Sequence, residues 1–219
     1  MKKNYICLFL FLLLFCFFNV AFATEKKLQN IVILDPGHGG VDPGTVIDDI
    51  KEKDINLKIA LKVKEKLEQK NITVLLTRDG DYDLASPEVN RRKKSDFDHR
   101  IRRINESGAN YYISIHLNYL EDKSYSGPQV FYTKGNKDLA IQMQNDFNKN
   151  LNVNREAKKI SNTIYMYSKL KVSGVLIECG FLSNEKESQL LADSKYQDKI
   201  AWAIYVGIQK YLTGIAENN

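Results

Sequence analysis

Short apolar runs alternate along the chain with longer segments whose apolar residues recur every three or four positions. Ile31–Leu34 is short and wholly apolar, and Ile72–Thr77 is apolar and β-branched, so both read as strands. Tyr111–Ile115, Gln129–Thr133 and Val172–Ile177, the last with Gly174 inside it, read the same way, and Thr163–Tyr167 reads as a further short strand. From Ile55 to Lys70, Ile59, Val63 and Leu67 share one helical face, Lys and Glu occupy the other, and Asp54 stands at the expected cap. Arg91–Glu106 is dense in charge and reads as a solvated helix turning Ile101 and Ile104 inward. Helical spacing also runs through Asp138–Asn150 and through residues 185–192 and 195–212, where Ile200, Ile204, Ile208 and Tyr211 form one stripe. Residues 78–90, rich in Asp, Gly, Ser and Pro, read as loop.

Strands that are apolar throughout must be covered on both faces. Interleaved with amphipathic helices, they imply an α/β three-layer sandwich, a mostly parallel twisted sheet of about six strands flanked by helices. In such sheets the functional site lies at the carboxyl ends of the strands.

The first residues are a separate object. Lys2 and Lys3 precede an apolar stretch from Ile6 to Phe22 that ends in Ala21-Phe22-Ala23, the layout of a secretory signal peptide. Cleavage after Ala23 is the expectation, with an uncleaved membrane anchor as the alternative, since about 17 apolar residues is the lower limit for a span. In either case residues 24–219 form a single exported domain, and any membrane association is through the N-terminal segment alone. Without Lys2 and Lys3 the formal charge falls from +5 to +3, too little to argue for nucleic acid. Cys7 and Cys16 leave with the signal, so Cys179 has no internal disulfide partner and reads as a buried structural thiol. No repeat, linker or low-complexity tract interrupts residues 24–219.

Two of the three histidines in the chain stand at the downstream ends of predicted strands: His38 in Asp35-Pro36-Gly37-His38-Gly39-Gly40, and His116 in Ser114-Ile115-His116-Leu117-Asn118. Imidazole is the commonest metal ligand near neutral pH. Gly37, Gly39 and Gly40 allow sharp turning beside His38, and no Gly-Lys-Ser/Thr follows to make a phosphate loop. The plainer readings are an incidental histidine in a turn and a satisfied core histidine. Glu178 ends the apolar run Val175-Leu176-Ile177, where a carboxylate is costly to bury unless paired or metal-associated. Glu52 is weaker, because Asp48, Asp49 and Asp54 compete with it as solvated or capping acids. His99 lies in a charged stretch and reads as surface. If the strands run parallel, His38, His116 and Glu178 reach one rim, and with a carboxylate from the Glu52 region they make a hydrolytic zinc centre: three ligands, an open position for water, and a carboxylate to move protons.

These motifs resemble the zinc-dependent N-acetylmuramoyl-L-alanine amidases, most of all the germination-specific spore-cortex type. The matching stretches are Ile33 to Gly44, Glu52-Lys53 leading into Asn56-Leu57, Leu76-Thr77-Arg78, Arg100 with Ile104-Asn105, Ser114 to Asn118, and Glu178-Cys179-Gly180-Phe181-Leu182-Ser183-Asn184. The resemblance implies that His38, Glu52 and His116 hold one Zn2+ and that Glu178 is the catalytic carboxylate. It implies cleavage between N-acetylmuramic acid and L-alanine in peptidoglycan, removing stem peptides from spore cortex on the way to muramic-δ-lactam. Leu117 stands where many relatives have a small residue, which is expected to narrow the rim of the site. Little room exists after His116 for an occluding helix, so control falls to timing, metal supply or an accessory exported protein or lipoprotein. The rival readings are a non-catalytic peptidoglycan-binding protein that keeps the fold, and another exported zinc hydrolase. The spacing lacks the helical H-E-x-x-H pattern.

Overall fold

In the computed structural model, which describes residues 30–133, 135–161 and 163–214, the apolar run after Asn30 becomes β1 (Ile31–Pro36). The elements that follow are β2 (Val46–Ile47), β3 (Ile50–Lys51), α1 (Glu52–Glu68), β4 (Thr73–Leu76), α2 (Arg92–Glu106), β5 (Tyr111–Asn118) and β6 (Gln129–Tyr132). After these come α3 (Lys137–Leu151), β7 (Lys158–Lys159), α4 (Tyr165–Lys169), β8 (Ser173–Phe181), α5 (Glu185–Ala192) and α6 (Ser194–Thr213). The signal or anchor segment proposed above lies outside the described residues.

Six strands form one sheet in the order β4-β1-β5-β8-β6-β7, and β2 pairs with β3 in a small hairpin. β4, β1, β5 and β8 run parallel, whereas β6 is antiparallel to β8. Side chains alternate between the faces of a strand, and the two cores follow that alternation. Val32, Leu34, Ile113, Ile115, Val175 and Ile177 pack with Ile59 and Val63 of α1, Met143 of α3 and Ile204 of α6. Ile33 and Tyr112 face the other way, against Ile101 and Ile104 of α2 and Met166 of α4. Each fully buried aliphatic side chain contributes about 1.5–3 kcal/mol, so the α1 stripe alone anchors that helix. Cys179 is buried and free. Among the described residues no helix is long and apolar enough to cross a membrane.

Three local expectations need correction. α1 starts at Glu52, so Asp54 lies in its first turn rather than capping it. The cap is supplied by the preceding loop: the Glu52 amide donates to the Thr45 carbonyl (2.9 Å) and the Lys53 amide to that of Pro43 (3.1 Å). The segment read as a strand over Thr163–Tyr167 is largely the short helix α4, closed by the Ser168 amide donating to the Ile164 carbonyl (3.0 Å). Its Tyr-Met-Tyr order imitates strand alternation, but Met166 alone is buried there. Leu117 does not narrow the rim, because its side chain is 3% exposed and belongs to the first core.

Candidate active site

β1, β5 and β8 lie side by side in the sheet, and the carboxyl ends of all three open on one rim. β5 continues to Asn118 and β8 to Phe181, so His116 and Glu178 stand within strands rather than beyond them. They are partners in the parallel register and therefore project from the same face. His38 follows β1 by two residues with φ 61°, a left-handed conformation uncommon for a residue other than glycine. Glu52 opens α1 and is 3% exposed.

Both imidazoles converge on one oxygen. His38 Nε2 lies 3.2 Å from Glu52 Oε1, and His116 Nδ1 lies 3.1 Å from the same atom. The ligand atoms of His38, Glu52 and His116 fall within 4.8 Å of one another, close enough to share a metal ion. The rings meet edge to face, 5.0 Å between centroids. Glu52 Oε1 also accepts from the Leu117 amide (3.1 Å) and from Asn56 Nδ2 (3.3 Å), and Oε2 accepts from the Thr45 amide (2.9 Å). These bonds hold the carboxylate in place independently of the histidines.

The electrostatics favour positive charge at this point. Burial would lower the His38 imidazole, but hydrogen bonds and charges from Asp42 and Glu52 outweigh it and raise its pKa to about 9. Burial would likewise push the Glu52 carboxyl up, yet His116 and His38 hold it well below the usual carboxylate range. His38 Nδ1 hydrogen-bonds Asp42 Oδ2 at 2.9 Å. A carboxylate on Nδ1 fixes the tautomer that leaves Nε2 able to ligate, the usual partner of a metal-bound histidine. Two glycines make room: a Cβ on Gly37 would meet His116 Cε1 at 2.1 Å, and one on Gly44 would meet Glu52 Oε2 at 2.6 Å. The donor set, the orienting carboxylate and the cradle all fit a small divalent cation.

Glu178 stands apart from this cluster. Its Oε2 is enclosed and has no hydrogen-bond partner among the described residues. Burial, reinforced by the Glu52 charge and opposed by the two histidines, raises its pKa to about 7. A carboxyl group tuned to neutral pH and left unpaired beside a cation site is suited to accepting and returning a proton.

Residues 32–210 match the N-acetylmuramoyl-L-alanine amidase family. The chain belongs to that family. It is 44% identical to the germination-specific N-acetylmuramoyl-L-alanine amidase of Bacillus subtilis, over 84% of this chain and 80% of that protein. It is similar in structure to the CwlD amidase of Clostridioides difficile, solved in complex with the GerS lipoprotein, with a TM-score of 0.81, 43% identity, and coverage of 85% of this chain and 100% of that one. An N-acetylmuramoyl-L-alanine amidase from Clostridium difficile 630 matches at TM-score 0.74 and 32% identity, over 86% of this chain and 99% of that one. The chain is thus an amidase acting on peptidoglycan, at the bond between N-acetylmuramic acid and L-alanine.

Several residues of the amidase site had no role assigned from sequence. Arg78 is 1% exposed and donates to the carbonyls of Pro36 (2.9 Å), Gly37 (2.9 Å) and Lys53 (2.8 Å). Arg100, equally buried, reaches Asp35 Oδ1 (2.7 Å) and the carbonyls of Pro36 (2.9 Å) and His38 (2.5 Å). Together they satisfy the backbone of the loop that carries His38, which would otherwise bury bare carbonyls. Asp42 and Gly44 sit in the quoted motif, but nothing in their spacing reveals what they touch. His99 bonds the Ser95 carbonyl (2.8 Å) on α2, away from the cluster.

Proposed function

We propose that this amidase is zinc-dependent, with His38 Nε2, Glu52 and His116 Nδ1 as the ligands and Glu178 as the catalytic acid–base. The convergence of two imidazole nitrogens on one buried carboxylate oxygen carries this reading. Bound there, the ion supplies Lewis acidity toward the carbonyl under attack and lowers the pKa of water. Glu178 takes the proton of the attacking water and delivers it to the nitrogen of L-alanine as the amide C–N bond breaks. Asp42 holds the His38 ring in its ligating tautomer, and Arg78 and Arg100 hold the loop beneath it. One carboxylate role at the ion and one beside it account for both glutamates.

The substrate we propose is spore cortex, from which the enzyme strips stem peptides ahead of muramic-δ-lactam formation. Similarity to a germination-specific amidase over four-fifths of both chains supports this. We also propose that residues 1–23 direct export, that residues 24–219 are one catalytic domain, and that the enzyme works in the cell wall or spore intermembrane space. An accessory exported lipoprotein is the proposed partner, since a similar amidase was solved with one.

Purified protein incubated with cortex and with vegetative sacculi tests the proposal through the masses of the released fragments. Stem peptides beginning with a free L-alanine, lost on chelation and restored by zinc, are the expected result. Release of D-alanine or acetate instead would assign a different hydrolase, and release unaffected by chelation would remove the metal. Turnover of vegetative sacculi but not cortex would sink the cortex role alone.

A further inference from the structure

β6 borders β8, and Gln129 stands opposite Glu178 in their antiparallel register. Beside this pair opens a cleft of about 650 Å³ whose lining includes Tyr125, Gln129, Asn152, Arg155, Glu156 and Lys158. Arg155 is tightly held there. Its Nε donates to the Ser126 carbonyl (2.8 Å) and its Nη1 to Gln129 Oε1 (3.0 Å). Its guanidinium carbon lies 4.9 Å from the Phe181 ring centre and 5.6 Å from that of Tyr125. A guanidinium resting on two aromatic faces and two acceptors has given up most of its freedom before any ligand arrives.

Its donors are not all spent inside the protein. Nη2 makes no hydrogen bond to a described residue. Glu187 is near enough to feel the Arg155 charge, but its oxygens are taken by the amides of Gly127 and Phe181, each at 2.8 Å. Glu156 also lines the cleft; its main-chain carbonyl accepts from Gln129, and its exposed carboxylate forms no ion pair with Arg155 or Lys158. Lys158 adds a second cation from the exposed strand β7. The cleft thus presents a preorganised donor and two cations, Arg155 and Lys158, neither of them in an ion pair with a described residue.

Peptidoglycan stem peptides carry carboxylates beyond L-alanine. Phe181 lies three residues along β8 from Glu178, roughly 10 Å at strand spacing, and an extended peptide covers that in about three residues. We propose that Arg155, assisted by Lys158, is a specificity-determining anchor for a carboxylate of the substrate's stem peptide, on the leaving-group side of the scissile amide. This rests on the amidase reading of the site.

The test uses the full chain and two synthetic muramoyl tripeptides, one with its peptide carboxylates free and one with all of them amidated. The unaltered enzyme is expected to show a KM at least about tenfold lower for the free acid, at similar kcat. Arg155→Met is expected to raise KM for the free acid by roughly ten- to a hundredfold, the worth of one charged hydrogen-bonded pair, leaving kcat and the amidated compound nearly unchanged. Arg155→Lys is expected to restore part of the preference. Lys158→Gln, a change at an exposed position, is expected to give a smaller rise confined to the free acid, and it decides the matter if Arg155→Met does not fold. Equal losses on both compounds, or no preference in the unaltered enzyme, would overturn the anchor while leaving the amidase intact. Cleavage of neither compound by the unaltered enzyme would overturn the amidase reading as well.

Discussion

Gly37 lies directly against the His116 ring, so that a Cβ at residue 37 would stand 2.1 Å from Cε1 and 2.2 Å from Nε2. The requirement is volume, not backbone freedom, because Gly37 is not among the positive-φ residues. One methyl group there cannot be accommodated without moving the ring. Gly37→Ala should therefore lower zinc affinity at least about tenfold, with an overpacking cost of roughly 1–3 kcal/mol. Competition titration against a chromophoric chelator measures the affinity, and an unchanged value would show that His116 is not a ligand.

Asp42 acts through His38. Its Oδ2 takes the Nδ1 hydrogen bond while Oδ1 accepts from the Gly44 amide (3.1 Å). Asp42→Asn keeps an acceptor but discards the charge that makes the imidazole a better donor of electrons. A loss of about 10- to 100-fold in zinc affinity is expected, the usual consequence of removing such a partner. Activity measured at saturating zinc should recover much of the loss, which distinguishes weakened binding from damaged chemistry.

The fold and the site were legible to different depths. Strands such as Ile31–Leu34 announce themselves because burial on both faces demands unbroken apolar runs, and the parallel sheet then follows. The positions of His116 and Glu178 were readable for the same reason, since polar groups ending such runs stand out. Glu52 was not separable from Asp48, Asp49 and Asp54 by residue type alone. What selects it is tertiary: amides of Thr45 and Leu117 that reach its carboxylate from a loop and from β5. The α1 cap was missed because carbonyls, which every residue carries, do the capping. Arg78 was hidden at the start of a segment read as loop and Arg100 in a charged helix read as solvated, although both side chains are buried under the His38 loop.

Glu178 makes a prediction about pH. Its pKa of about 7 in the folded protein exceeds the ordinary 4.5, so the native state holds a proton that the unfolded state has released. The protein therefore loses stability as pH rises from about 4.5 to about 7, and the full cost persists above that. Glu178→Gln cannot ionise and escapes the cost. In chelator-treated protein, calorimetry at pH 8 should place the Tm of the variant about 10 °C above that of the unaltered chain, for roughly 3 kcal/mol. The two should converge toward pH 4.5. Zinc should still bind the variant, while hydrolysis should fall by about 10²- to 10⁴-fold. A variant less stable at pH 8 would mean that the carboxylate has a partner the structure does not show.

Arg100 and Asp35 form a buried ion pair at 2.7 Å, with side chains 2% and 1% exposed. Burial alone would raise the Asp35 carboxyl, but the Arg100 charge and hydrogen bonds from Thr77 and Arg100 itself keep it lowered. Removing only the cation strands a carboxylate in the core and deprives the His38 carbonyl of its donor, while the Pro36 carbonyl keeps the one from Arg78. Arg100→Met should cost about 3–5 kcal/mol in urea unfolding at pH 7. Arg100→Lys should rescue little, since an ammonium cannot span acceptors set out for a planar fork. A depressed carboxyl stabilises the fold above its ordinary pKa, and that contribution is lost as pH falls. The gap between Arg100→Met and the unaltered protein should accordingly narrow below about pH 4. Adding Asp35→Asn to Arg100→Met should recover part of the loss at pH 7, because the stranded charge is then gone. Strictly additive costs for the two substitutions would show that the pair is not what holds the His38 loop to the sheet.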